Sequence, residues 1–292
     1  MDKKIFKNPL FVLISIQAIM GGTYLMTKLG LREFSPLALG VLRFGLTAVV
    51  FAVLLGLKRL FFIPGKADRI SFLWLALFSV PFNQGLFLYG MKYTLAAHGA
   101  LLYAATPIMV LCLSCIWLKE RPSALKITGI ALGFAGVLLV LFEKGLDLSG
   151  QTLKGDILIF FAVLTWSVYT ILSKKMLQKY RPLQVTGYSL MLGAALFLPI
   201  GLLPILRQDY ANITWSGLSS ILYLALLTSV LGYLTWNWAL SKIEASKVAV
   251  VSNLQPVFAA FLAWMFLGEK ITHNFIIGAA VVAAGVILTE KG

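Results

Sequence analysis

Residues Ala96 to Leu139 read AAHGALLYAATPIMVLCLSCIWLKERPSALKITGIALGFAGVLL, and their pattern returns from Ala245 to Leu288 as ASKVAVVSNLQPVFAAFLAWMFLGEKITHNFIIGAAVVAAGVIL. At a constant offset of 149 residues, Pro107 falls on Pro256, Leu118 on Leu267, Glu120 on Glu269, Gly129 on Gly278 and Gly136 on Gly285. In each copy an apolar helix with a proline part-way along runs into a short charged turn, and a second apolar helix rich in small residues follows. That is an internal repeat, and the working part of the protein is expected between two such halves.

Composition sets the environment. Hydrophobic residues make up 60% of the chain and charged residues 12%, with a mean hydropathy of +0.90. A soluble domain carries about a quarter of its residues charged, so this chain is expected in lipid. The net charge of +14 does not mark a nucleic-acid binder, because the basic residues sit in short clusters between apolar runs, as they do in oriented membrane proteins. Cys112 and Cys115 lie one helical turn apart in an apolar run, where small apolar packing is the ordinary reading.

Lys3, Lys4 and Lys7 precede an apolar segment from Pro9 to Leu31 that imitates a signal peptide. It is too long for one and lacks an A-x-A-like cleavage site, so it reads as the first spanning helix. Crossing about 30 Å of hydrocarbon takes roughly 20 residues. Segments of that size follow at 36–57, 70–91, 96–118, 124–142, 155–177, 183–206, 216–241, 246–267 and 273–289, making ten in all. With the N-terminus inside, the inner connections hold 17 Lys and Arg and the outer ones 7. The positive-inside rule therefore places both termini in the cytoplasm of a multi-pass protein of the inner membrane.

The repeat can be followed backwards. Tyr24 aligns with Tyr169, and Ser35-Pro36-Leu37 with Arg181-Pro182-Leu183, so each half holds five helices: residues 1–143, a connection at 144–153, and residues 154–292. Five is odd, so the second half enters the membrane from the opposite side. The expected fold is an all-α membrane protein of ten transmembrane helices in two inverted five-helix repeats, an architecture of secondary transporters whose substrate site lies near the midplane between the halves.

With its two homologous halves, its proline-bearing fourth helix in each, the Leu-x-Glu turns Leu118-Lys119-Glu120 and Leu267-Gly268-Glu269, and a glycine-rich fifth helix, the chain resembles the EamA-type permeases of the drug/metabolite transporter superfamily. Within that group it is similar to the YddG-like exporters of aromatic amino acids and related metabolites. The resemblance covers nearly the whole chain and implies export of small metabolites by alternating access. It specifies the fold well and the substrate poorly.

Candidate site residues come from helix faces and from the repeat. Pro107 and Pro256 free the carbonyls of Tyr103 and Ser252, themselves repeat partners, and are read as paired hinges beside the symmetry axis. On the first helix Gln17, Gly21, Tyr24 and Lys28 share a face; on the sixth, Trp166, Tyr169, Thr170 and Ser173 are similarly arranged. Asn83, Gln84 and Tyr89 on the third helix, Tyr188 on the seventh, Tyr233, Trp236 and Asn237 on the eighth, and Asn253 and Gln255 on the ninth complete a lining of amides, phenols and indoles. Each could instead be glue between helices. As a lining they suit a neutral or zwitterionic solute with an apolar or aromatic side chain. Trp74, Trp117, Trp215 and Trp264, near segment ends, read as interfacial anchors.

Every Asp and Glu is expected in a terminus, a connection or an end turn, so no carboxylate sits at the midplane to bind an organic cation and exchange it for protons. Arg43, about 12 Å along the second helix by helical rise, calls for a partner: a substrate carboxylate, or helix carbonyls and a neighbouring polar side chain. Glu120 and Glu269 read as helix-end partners for Arg121 and Lys270 or for backbone groups. Gly129, Gly133 and Gly136, with Gly278, Ala279 and Gly285, read as small faces packing each fifth helix against its own half. No catalytic constellation, metal site or cofactor motif stands out. Expected partners are a small-molecule substrate and the lipid bilayer, with a monomer favoured over a dimer. The rival readings are an exporter of drugs or organic cations, such as methylviologen, and a membrane-embedded enzyme acting on lipid.

Overall fold

The structure, a computed structural model, describes residues 9–142, 150–267 and 273–292. Among these residues every regular element is helical. The first half holds α1 (Pro9–Glu33), α2 (Pro36–Leu57), α3 (Lys66–Ser79), α4 (Pro81–Tyr93), α5 (Ala96–Tyr103), α6 (Thr106–Trp117) and α7 (Ala124–Phe142). The second holds α8 (Gly150–Met176), α9 (Pro182–Leu206), α10 (Trp215–Leu222), α11 (Tyr233–Leu240), α12 (Ala245–Val250), α13 (Leu254–Leu267) and α14 (His273–Lys291). Among the described residues seven helical runs are long and apolar enough to cross a membrane: Pro9–Glu33, Pro36–Leu57, Lys66–Tyr93, His98–Trp117, Gly150–Met176, Pro182–Leu206 and Trp215–Leu240. Their outward faces carry exposed aliphatic side chains such as Val49, Val53, Ile200 and Leu203, which suits contact with lipid tails and not with water.

Proline sets several helix starts, because its fixed φ suits the first turn, whose N–H groups have no partner in the helix. Ser35 caps α2, its hydroxyl accepting from the Ala38 N–H at 3.3 Å, one residue before Pro36. At the start of α9 the Arg181 N–H donates to Gln184 Oε1 at 3.2 Å.

Four runs are broken at places related by the repeat. The Lys66–Tyr93 run bends at Val80 (φ −121°, ψ −69°), just before Pro81. Its counterpart Trp215–Leu240 passes through a π-helical segment, Tyr223–Gly232. The 96–117 run is interrupted at Ala104 and Ala105, ahead of Pro107. The 245–267 run turns through a 3-10 segment, Val251–Asn253, ahead of Pro256. Breaks of this kind leave backbone groups without helical partners, which hydrocarbon does not tolerate. All four flank the protein's interior.

Packing between the halves is reciprocal. α1 lies against the 215–240 run and α13, as α8 lies against the 66–93 run and α6; α2 packs on α9, and α7 on α14. The last pairing corrects the expectation that each glycine-rich helix packs within its own half. A Cβ on Gly129 would stand 2.6 Å from the Thr289 nitrogen and 2.7 Å from the Gly285 carbonyl, and one on Gly136 would stand 2.7 Å from the Gly278 carbonyl. Two equivalent stripes without side chains complement each other, so the backbones of α7 and α14 close on one another across the repeat boundary.

Polar ties gather at the helix ends. At one end the Glu120 carboxylate accepts from the Ala245 N–H and the Ser246 hydroxyl, both at 2.8 Å, and Lys126 pairs with Glu244 at 2.5 Å. Lys179 and Tyr180 hold Asp68 there at 3.0 and 2.9 Å. At the other end Glu33 accepts from the Thr214 hydroxyl at 2.6 Å, and Asp156 binds His98 Nδ1 at 2.9 Å and the Thr94 hydroxyl. Asp156 lies in the second turn of α8, because that helix begins at Gly150, five residues before the expected start. Glu120 thus serves backbone and hydroxyl groups, while Glu269 and Lys270 lie outside the described residues.

Candidate functional site

The broken helices leave a cavity between the halves, with an empty volume of ≈ 690 Å³ that includes the space at its mouth. α1 contributes Leu13, Ile16, Gln17, Met20, Thr23 and Tyr24, one stripe at three- and four-residue spacing. Arg43 comes from α2, and Asn83, Gln84 and Phe87 from α4. Tyr103 and Thr106 stand on either side of the break before Pro107. From the second half come Trp166, Thr228, Tyr233 and Trp236, with Ser252 and Gln255 around the break before Pro256. α9, the seventh helix of the sequence reading, contributes nothing to this wall, because it packs on α2 and α3.

Arg43 is 1% exposed. Its Nε donates to Ser229 Oγ at 2.8 Å and its Nη1 to Gln84 Oε1 at 2.9 Å. Both partners are neutral, and no carboxylate pairs with the guanidinium among the described residues. Taking such a cation out of water costs several kcal/mol, whereas a hydrogen bond to a charged group returns about 1.5–3 kcal/mol. The two neutral acceptors, with the Phe44 ring 4.7 Å from the guanidinium carbon, offset that cost in part or in full but leave the charge itself uncompensated, so an anion in the cavity gains a direct charge–charge attraction. The partners are well fixed: Ser229 lies in the π-helical segment and donates to the Leu224 carbonyl at 2.9 Å. π-segments are frequent at functional sites.

From Arg43 the polar network spreads through α4. Gln84 Nε2 donates to Asn83 Oδ1 and to the Tyr233 hydroxyl, the latter at 3.1 Å. Asn83 Nδ2 donates to the Ala162 carbonyl at 2.7 Å and to the Tyr103 hydroxyl at 3.2 Å. Elsewhere the Tyr24 hydroxyl donates to Gln255 Oε1 at 3.1 Å, and Thr23 and Thr228 share a hydrogen bond of 3.0 Å. Four of these six bonds join one half to the other, as a site between halves requires.

Two aromatic clusters bound the cavity. Tyr24, Phe87 and Tyr103 meet edge to face, with centroids 5.6–6.2 Å apart. Trp166 approaches Tyr233 at 5.0 Å and Trp236 at 5.4 Å. Ring faces and edges of this kind accept a flat apolar group.

The structure thus brings Gln17, Tyr24, Arg43, Asn83, Gln84, Tyr103, Trp166, Trp236 and Gln255 to one cavity and leaves four candidates outside it. Tyr89 lines a surface groove with Lys92 and Arg207; two residues beyond Phe87, it points roughly 200° away around the helix. Tyr169 lies behind Trp166, its ring stacked on the indole at 5.3 Å and its hydroxyl accepting from Asn237 Nδ2 at 2.8 Å. Tyr188 sits at a helix end, accepting from the Phe62 N–H at 2.8 Å and donating to the Phe62 carbonyl at 2.5 Å. Asn253 faces Gly133 of α7, where an added Cβ would come within 2.6 Å of its Nδ2. Two residues from Gln255, Asn253 points roughly 200° away around the helix, whereas Ser252 and Gln255, three apart, share the cavity side. Met20, Thr23, Phe87, Thr106 and Thr228 are lining residues beyond the sequence reading. The first two extend the Gln17–Tyr24 stripe by its own spacing.

A helical membrane chain with broken helices around a buried cavity between reciprocal halves has the form of a secondary transporter. The EamA-like transporter family matches it twice, over residues 8–142 and 153–290, and the chain belongs to that family. It is a multi-pass membrane protein. It is 31% identical to Uncharacterized transporter YyaM of Bacillus subtilis (strain 168), over 98% of this chain and 94% of that protein. It is 29% identical to a Salmonella typhimurium protein named "Probable amino-acid metabolite efflux pump", over 97% and 94%. It is 25% identical to the "Probable terminal-alkyne amino-acid exporter" of Streptantibioticus cattleyicolor, over 90% and 87%. A solved crystal structure shares the fold with a TM-score of 0.79 at 18% identity, over 97% of this chain and 98% of that one.

Proposed function

We propose that this protein exports small metabolites, chiefly neutral amino acids with bulky or aromatic side chains, across the cytoplasmic membrane. Ten spanning segments in two inverted five-helix repeats, residues 1–143 and 154–292, hold both termini in the cytoplasm. The halves rock about the breaks before Pro107 and Pro256 to expose the cavity to either side. Arg43 receives the substrate carboxylate, and Trp166, Trp236 and Phe87 receive its side chain.

The observation that carries this reading is the buried Arg43 guanidinium in the cavity wall, satisfied only by neutral partners among the described residues. A fixed cation there attracts a carboxylate and repels an organic cation, which sets the drug-cation reading aside. The names of the Salmonella and Streptantibioticus relatives, both concerned with amino acids, point the same way. The test is transport of labelled phenylalanine and of methylviologen in proteoliposomes, for the natural protein and for Arg43→Gln. Phenylalanine transport by the natural protein alone supports the reading; methylviologen transport that survives the substitution overturns it.

A further inference from the structure

The cavity wall carries polar oxygens besides the Arg43 network. Gln17 is 1% exposed, and its Oε1 is buried with no hydrogen-bond partner among the described residues; Thr106 is likewise 1% exposed, with an Oγ1 unpartnered among them. Both residues line the same cavity as Arg43. Leaving a buried polar group unsatisfied costs about 1–3 kcal/mol, so two in one wall mark a place where a ligand supplies donors.

Pro107 and Pro256 have no N–H to give the carbonyls four residues earlier, which belong to Tyr103 and Ser252, and both of these line the cavity. Gln255, the repeat counterpart of Thr106, already has its Oε1 occupied by the Tyr24 hydroxyl. Among the described residues, Gln17 Oε1 and Thr106 Oγ1 are therefore the unpartnered buried oxygens of this wall, while Arg43 is its charged donor. No carboxylate lines this wall among the described residues, so a cation there would be bound by dipoles alone.

We propose that Gln17 Oε1 and Thr106 Oγ1 form a subsite for a primary ammonium group, so that the ligand is a zwitterion with a free amine as well as a carboxylate. The proposal rests on the reading of Arg43 as the carboxylate partner. An ammonium offers three donors and no acceptor, which matches an amide oxygen that can only accept and a hydroxyl whose lone pairs accept while its own hydrogen turns elsewhere. A neutral amide and a hydroxyl bind it without retaining it, as a transporter needs. The subsite makes Gln17 and Thr106 specificity residues: they separate an amino acid from the same carbon skeleton lacking its amine.

The test uses the purified full-length protein in detergent or liposomes and two probes, L-phenylalanine and 3-phenylpropionate, which share ring and carboxylate and differ in the amine. Binding is followed through fluorescence of Trp166 and Trp236 in the cavity wall, and by competition in transport. For the natural protein, phenylalanine is expected to bind at least about tenfold more tightly than phenylpropionate, the scale of one unpaired buried group. Gln17→Leu and Thr106→Val are expected to weaken phenylalanine about tenfold each and leave phenylpropionate unchanged, with Thr106→Ser restoring phenylalanine. Equal binding of the two probes by the natural protein, or equal loss of both in the variants, overturns the subsite. If Arg43→Gln then still abolishes binding of both, the carboxylate reading stands without it. If Arg43→Gln leaves phenylpropionate binding intact, that underlying reading is the one that fails.

Discussion

Gln84 Nε2 donates to the Tyr233 hydroxyl at 3.1 Å, and the two residues are counterparts in the repeat, 149 positions apart. One ancestral position now holds an amide in the first half and a phenol in the second, facing each other beside Arg43. The bond matters because Gln84 is also an acceptor for the guanidinium: its amide oxygen faces Arg43 only while its nitrogen has acceptors elsewhere.

Gln84→Glu would place a carboxylate where the amide oxygen now accepts from Arg43. The resulting internal ion pair is charge-assisted and stronger than the bond it replaces. The variant is expected to melt at a higher temperature than the natural protein and to transport phenylalanine at least about tenfold more slowly. Thermal unfolding and uptake on the same preparation check both halves of that expectation.

Pro107→Ala and Pro256→Ala return a donor to the carbonyls of Tyr103 and Ser252 and favour straight helices. If the breaks are hinges, each variant keeps its affinity for ligand and loses turnover several-fold, and the pair together loses more. An unchanged turnover number in both variants would leave the breaks as fixed features of packing.

The α7–α14 contact is expected to be intolerant of side chains. Gly129→Val drives a branched side chain into the Thr289 nitrogen and the Gly285 carbonyl, with overpacking of about 1–3 kcal/mol or more. Gly45→Ala on the exposed side of α2, where an added Cβ meets nothing within 4 Å, should instead be neutral or stabilising by up to about 1 kcal/mol. Comparison of their unfolding midpoints separates close approach from a general sensitivity of helical glycines.

Glu120 joins the halves at one end through the Ala245 N–H and the Ser246 hydroxyl. Glu120→Ala is expected to lose about 1–2 kcal/mol, allowing for its partial exposure. Glu120→Gln retains one acceptor oxygen and should lose about half of that. Chemical denaturation in mild detergent reads the difference.

Much of this was legible in the chain. The prolines located two of the four breaks, and the polar stripe on the first helix located the cavity, because both are local features whose period or chemistry is written in the residues. The other placements depend on partners. Asn253 and Gln255 stand two residues apart and cannot share a face; which of them meets the cavity was decided by how this run packs on α7. Tyr169 shares a face with Trp166 and is hidden behind it by stacking. Thr228 lines the wall from a π-helical segment that no local signal announced. The glycine stripes were visible, but which stripe met which was decided by the reciprocal packing of the halves.

The π-helical segment between Tyr223 and Gly232 has one more consequence. Its partner in the first half is a proline bend, a covalent feature that the chain cannot undo, whereas a π turn is an α turn holding one surplus residue. Expelling that residue would advance everything on one side of it by about 100° and 1.5 Å. Ser229 would then leave the guanidinium and Thr228 would leave Thr23. The two halves therefore differ in kind where they line the cavity: one is bent at a proline, and the other holds a register step that a single-residue deletion between Tyr223 and Thr228 would release.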